Sequence, residues 1–251
     1  MSGVTIYRNR EPHTGGELVL YSSSFTNASK RLVFVNGVWN TPEDHAASCR
    51  NLCRLTGCEV LGVYNQMGAG VPWGPLTAGL FDAGQAITDW IGVGIRALGL
   101  GPNFLANGCA SSLFDLLLYE GPRWPNGTTH LCIVAHSQGN LITSNALMLY
   151  SKMVKKYKLD HQLIHVFAIA SPAPSWPIDP GNPYISVSNY WHRHDPITAA
   201  SMWRNMRGSN KGEGAMLDQE SWFRLHRLDG YLDNRELVDG ICAKVGTKSP
   251  F

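Results

Sequence analysis

Ser137 stands in a run whose residue types could attack an acyl carbonyl. The segment His130-Leu131-Cys132-Ile133-Val134-Ala135-His136-Ser137-Gln138-Gly139-Asn140 reads as a buried strand up to the serine, and a helical pattern follows from Leu141 to about Tyr157. A nucleophilic serine on a tight turn between strand and helix needs small residues two places before and two after it. The backbone there is strained and neighbouring chain comes close. Ala135 and Gly139 meet that need. The turn also aims the helix start at the serine, so leading N–H groups and the helix dipole favour negative charge forming there. The backbone N–H of Gln138 is the natural first oxyanion donor.

The run A-H-S-Q-G-N after an apolar strand resembles the nucleophile elbow of the α/β-hydrolase superfamily, in particular its lipase/esterase-like members. It is the G-x-S-x-G pattern with Ala135 in the first place. The resemblance implies a mostly parallel central sheet flanked by helices. It also implies a serine–acid–histidine order along the chain. A serine hydroxyl is a poor nucleophile until a base takes its proton and a carboxylate holds that base in the right tautomer. Asp195 opens Asp-Pro-Ile just after a strand pattern, similar to the segment that carries the acid in such relatives. Its rival reading is a helix cap before Pro196. His226 is the only histidine after Asp195, and Tyr231 follows it five residues later, as in the histidine region of lipase-like hydrolases.

His192 and His194 lie so close to Asp195 that presenting a ring between serine and acid would strain the loop. His136, beside the serine, should point into the sheet or a supporting layer. The second oxyanion donor is expected in the loop Asn36-Gly37-Val38-Trp39-Asn40-Thr41, from the N–H of Val38 with Trp39 close behind. Asn36 stands where the family usually has histidine. A simple turn at Asn36-Gly37 is the alternative. For the substrate, Trp39, Met202 and Trp203 are the candidate contacts, and Trp73, Trp90, Trp176 and Trp191 also fall in segments that could line a cleft. Large aromatics are more often core residues.

The elements needed to hold these groups are written along the chain. Val4–Arg8 and Glu17–Ser22 read as an N-terminal hairpin or paired edge strands around a Pro/Gly turn. Arg31–Gly37, Glu59–Asn65 and Leu163–Ala170 are continuous apolar runs, the pattern of strands covered on both faces. Thr41-Pro42-Glu43-Asp44 starts a helix that Gly57 should stop. Residues 66–129 form a helical insertion: Leu76–Leu100 reads as a core-packing helix or as a lid, and a second helix lies near Cys109–Tyr119. Tyr184–Asn189 is a further strand, 207–214 a polar loop, and a short helix starts at Leu237. The expectation is an α/β fold, with residues 1–251 as a single α/β-hydrolase domain.

Composition narrows the classes. The 251 residues carry a net charge of +2 with no long run of either sign, which does not make the concentrated basic face that nucleic acid needs. A chain of this length buries a core without disulfides or metal. Cys132 reads as a core residue, and Cys49, Cys53 and Cys58 as thiols rather than zinc ligands, since no compact Cys/His set lies nearby. The N-terminus lacks a signal-peptide pattern, and no apolar stretch could span a bilayer. The expected protein is a cytoplasmic serine hydrolase that needs no cofactor or metal and cleaves a carboxylic ester of a small-molecule or lipid acyl substrate. Export by a specialised system, transient membrane-surface contact, a thioester or amide substrate, acyl transfer and a silent scaffold all stay open.

Overall fold

The computed structural model describes residues 5–37, 40–66, 108–120, 130–171, 173, 176–178, 183–192, 213–217 and 228–251. Within them, eight strands form one sheet: β1 (Ile6–Arg8), β2 (Leu18–Tyr21), β3 (Asn27–Val35), β4 (Cys58–Val63), β5 (His130–His136), β6 (Leu163–Ile169), β7 (Ile185–His192) and β8 (Glu213–Leu217), in the order β1-β2-β4-β3-β5-β6-β7-β8. From β4 to β8 every neighbouring pair is parallel. The expected mostly parallel sheet is there, and its apolar runs are buried because helices cover both faces.

Five helices flank it among the described residues: α1 (Pro42–Thr56), α2 (Gly108–Asp115), α3 (Gly139–Tyr157), α4 (Leu228–Leu232) and α5 (Arg235–Val245). A π-helical turn, Leu116–Glu120, continues α2. One apolar core joins α2 and α3 to the sheet through Leu113, Leu141, Leu147, Val35 and Ile133. The other joins α1, α4 and α5 through Leu52, Tyr231, Ile241, Phe34 and Val134.

The ends of α1 follow from its sequence. The Thr41 hydroxyl accepts the Asp44 N–H at 3.1 Å and the Asp44 carboxylate accepts the Thr41 N–H at 3.1 Å, a reciprocal cap. Pro42 takes the first helical position, and Gly57 ends the helix with a left-handed φ of 66°.

Three elements differ from expectation. β1 and β2 pair in parallel, Ile6 with Leu18 and Arg8 with Leu20, so they are paired edge strands and not a hairpin. A hairpin would need antiparallel strands. The linking chain instead doubles back, with the Asn9 N–H bonded to the Leu20 carbonyl at 2.9 Å and the Tyr21 hydroxyl to the Arg10 carbonyl at 2.9 Å. β7 runs on through Tyr190, Trp191 and His192, and β8 lies partly within the expected polar loop. Pairing of Ser188–His192 with Glu213–Leu217 makes that strand, which no alternating side-chain pattern announces.

All six cysteines are buried thiols, Cys132 among them in the core as expected. Burial pushes the thiols of Cys58 and Cys132 up to about 12 and that of Cys53 to about 11, which keeps them protonated and unreactive. No helix among the described residues is long and apolar enough to cross a membrane.

Candidate active site

Ser137 joins the end of β5 to the start of α3 with φ of 54°. A left-handed backbone costs a non-glycine residue about 1–2 kcal/mol, so the surrounding structure must hold it there. It does so through hydrogen bonds to the end of β6. The Ser137 N–H donates to the Ile169 carbonyl at 3.0 Å. The buried Asn140 side chain donates to the carbonyls of both Ser137 (2.9 Å) and Ile169 (2.8 Å). Gln138 stands at the N-cap of α3 with no side-chain cap, so the positive end of the helix dipole begins at the residue after the serine.

Two glycines let other backbone approach this turn. A Cβ on Gly139 would run into the Val35 carbonyl oxygen and lie 2.9 Å from that of Asn36, so α3 starts against the end of β3. A Cβ on Gly37 would lie 2.6 Å from the Ser137 Cβ and 3.1 Å from its Oγ. The loop expected to carry the second oxyanion donor therefore begins in contact with the serine side chain.

Side-chain amides hold that loop. Asn36 continues the pairing of β3 with β4 beyond its last residues. Its Oδ1 accepts the Asn65 N–H at 2.8 Å and its Nδ2 donates to the Asn65 carbonyl at 2.9 Å. The Gly37 carbonyl accepts from Asn36 Nδ2 (2.8 Å), Asn40 Nδ2 (3.3 Å) and Asn65 Nδ2 (3.4 Å). Asn65 Nδ2 also donates to Gln138 Oε1 at 2.9 Å. Asn36, Asn65, Gln138 and Asn140 are all buried, where an amide left without partners would cost several kcal/mol, of order 1–3 by mutation. Asn65 and Asn140 carried no assigned role in the sequence. Their signal is their place one or two residues past a strand end or a turn.

On the opposite face of the sheet from α3, the ends of β5 and β7 meet at Tyr231 of α4. The Tyr231 ring lies 6.2 Å from that of His136 and 4.1 Å from that of His192. Its hydroxyl accepts the His192 N–H at 3.2 Å. His136 is buried and turned to this face, as expected of a residue that supports rather than reacts. Trp176 is buried in the apolar core. Asp195, His226, Val38, Trp39, Met202, Trp203, Trp73 and Trp90 lie outside the described residues, as does Leu76–Leu100. Among the described residues no three His, Cys, Asp or Glu side chains gather as metal ligands.

No family model matches the sequence. No curated protein matches it either. Solved structures do. A hyperthermophilic esterase from the archaeon Pyrobaculum calidifontis is 12% identical, over 94% of this chain and 84% of that one, with a TM-score of 0.51. The HSL homologue EstE7 from a metagenome library is 12% identical over 94% and 89% of the two chains, at 0.46. An alpha-beta serine hydrolase homologue from Coxiella burnetii is 12% identical over 94% and 98%, at 0.44. The likeness to the archaeal esterase is one of fold, and the sheet order with helices on both faces agrees with it. The chain has the α/β-hydrolase fold.

Proposed function

We propose that the protein is a serine hydrolase that cleaves a carboxylic ester through an acyl-enzyme. The observation that carries this reading is the left-handed Ser137 between β5 and α3, with Gly37 against its side chain. Backbone strain at a polar residue persists only where the fold over-determines it, and such residues cluster at reactive sites.

In this reading His226 takes the proton of Ser137 as its oxygen attacks the acyl carbon. Asp195 orients His226 and stabilises the imidazolium. The N–H groups of Gln138 and Val38 hold the oxyanion. His226 then protonates the leaving alkoxide, and water, activated by the same imidazole, releases the acid. Chain connectivity supports the two partners: Asp195 follows His192 by three residues, and His226 precedes Leu228 by two. His192 and α4 meet at Tyr231, on the sheet edge where Ser137 lies. The substrate is a small-molecule or lipid acyl ester, with Trp39, Met202 and Trp203 as its contacts.

A fluorophosphonate probe tests the reading, since it phosphonylates only an activated serine. Wild type should label and Ser137→Ala should not. Absence of labelling in folded wild type refutes the proposal. Asp195→Ala and His226→Ala should each lower turnover of p-nitrophenyl esters by orders of magnitude, about 10³-fold or more, while leaving the fold intact. Wild-type rates in either variant would remove that residue from the mechanism.

A further inference from the structure

The buried amides around Ser137 form more than a satisfied polar cluster, because one of them touches both sides of the proposed oxyanion hole. Asn65 Nδ2 donates to Gln138 Oε1 on the α3 side and reaches the Gly37 carbonyl on the β3 side. Asn65 is itself held at both backbone groups by Asn36. The hydrogen bonds thus run from the end of β4 to two chain segments that share no backbone ladder with each other at this point.

Peptide geometry makes the Gly37 contact consequential. A trans peptide is planar, with its N–H opposite its C=O. Side-chain donors from Asn36, Asn40 and Asn65 converge on the Gly37 carbonyl. Whatever fixes that carbonyl fixes the direction of the N–H that follows it, the proposed second oxyanion donor. On the other side, the Gln138 side chain is tied down while its backbone N–H is the proposed first donor. An oxyanion hole works because its donors need not reorganise as charge develops.

We infer that Asn65 is a positioning residue for ester hydrolysis, bridging the two backbone donors of the oxyanion hole so that they are set before substrate arrives. The inference rests on the serine-hydrolase reading above. Asn65 touches neither substrate nor the reacting oxygen in this role. Its loss should appear in the chemical step and leave ground-state binding nearly unchanged.

The test uses Asn65→Ala, Gln138→Leu and the double variant in the full chain. Labelling of wild-type Ser137 by fluorophosphonate comes first; its failure sinks the serine-hydrolase reading, not the bridge. With wild type labelled, Asn65→Ala should lower kcat on a p-nitrophenyl ester about 10- to 100-fold, with KM within about twofold. A trifluoromethyl ketone, which forms a tetrahedral adduct with serine, should bind more weakly by a similar factor. Gln138→Leu removes the other end of the 2.9 Å bond and keeps the backbone N–H. It should show the same split, and it answers the question if Asn65→Ala does not fold. The double variant should be no worse than Asn65→Ala, because that single variant has already lost the bond to Gln138 that Gln138→Leu removes. Wild-type kcat in either folded single variant, a loss confined to KM, or strictly additive losses would overturn the bridge while leaving Ser137 as nucleophile.

Discussion

Gly37→Ala probes the contact between the β3 loop and the serine directly. An alanine Cβ there would lie 2.6 Å from Ser137 Cβ, 3.1 Å from Oγ and 3.2 Å from the His136 carbonyl. Non-bonded carbons settle about 3.5–4.0 Å apart, so about 1 Å of overlap must be relieved. Gly37 does not have a left-handed backbone, and the cost is therefore contact alone. Neither side yields easily: Asn36, Asn40 and Asn65 hold the Gly37 carbonyl, and Ile169 and Asn140 hold Ser137. Over-packing of this kind costs about 1–3 kcal/mol of stability. A displacement of about 1 Å at a reacting group costs about 100-fold in rate, equivalent to about 2.7 kcal/mol of barrier. The assay is the fluorophosphonate labelling rate and kcat/KM, with stability measured separately by denaturant. Gly57→Ala is the matched control. Its left-handed φ of 66° has nothing within 4 Å, so it should lose about 1 kcal/mol of stability and label normally. Wild-type labelling of Gly37→Ala would refute the close approach on which the site is built.

Gly139→Ala should be harsher on the fold, because its Cβ meets backbone oxygens of Val35 and Asn36 that cannot rotate away. A loss of about 3 kcal/mol is expected, read by urea denaturation; a loss under about 0.5 kcal/mol would mean that α3 can lift from β3 freely. Ser137→Gly should be more stable than Ser137→Ala by about 1 kcal/mol, since only glycine holds φ of 54° without penalty; equal melting temperatures would deny strain at the turn. His45 gives a pH signature. It is fully buried against Phe34 and Tyr64, and burial lowers its imidazole from 6.5 to about 3. Below pH 6.5 the unfolded chain takes up a proton that the folded chain refuses until about pH 3. Stability therefore falls with pH, by about 2 kcal/mol between pH 7 and pH 5. His45→Gln lacks this term, so its stability difference from wild type should shift by that amount in its favour at pH 5; a constant difference would show that His45 titrates normally.

What the sequence disclosed about this site follows the reach of each signal. Thr41, Pro42 and Gly57 fix α1 through neighbours within a few residues, and the observed ends match the expected ones. The strand–turn–helix around Ser137 was legible for the same reason: Ala135 and Gly139 are two residues away, and the apolar run and helical pattern flank it directly. The parallel pairing of β1 with β2 was not legible, because a Pro/Gly turn says that the chain reverses and not how often. β8 was hidden because its partner on β7, and not its own side chains, makes it a strand.

The amide network needed one further piece of information, the register of strands far apart in sequence. Val35 pairs with Val63 on β4 and with Ala135 on β5. Stepping one or two residues beyond those pairs brings Asn36 and Gly37, Tyr64 and Asn65, and His136 and Ser137 to one sheet edge. Each amide taken alone reads as a turn residue. Side by side at a buried edge, they pair with one another. The backbone strain at Ser137 and the amides that brace the facing loop thus have a common origin in that register. A slip of one residue between β3 and β4 would exchange the faces of every β4 side chain and separate Asn36 from Asn65, leaving Ser137 on its turn but the proposed oxyanion donors unset. Register, more than the motif around the serine, is what would distinguish an active site here from a strand–turn–helix that merely carries a serine.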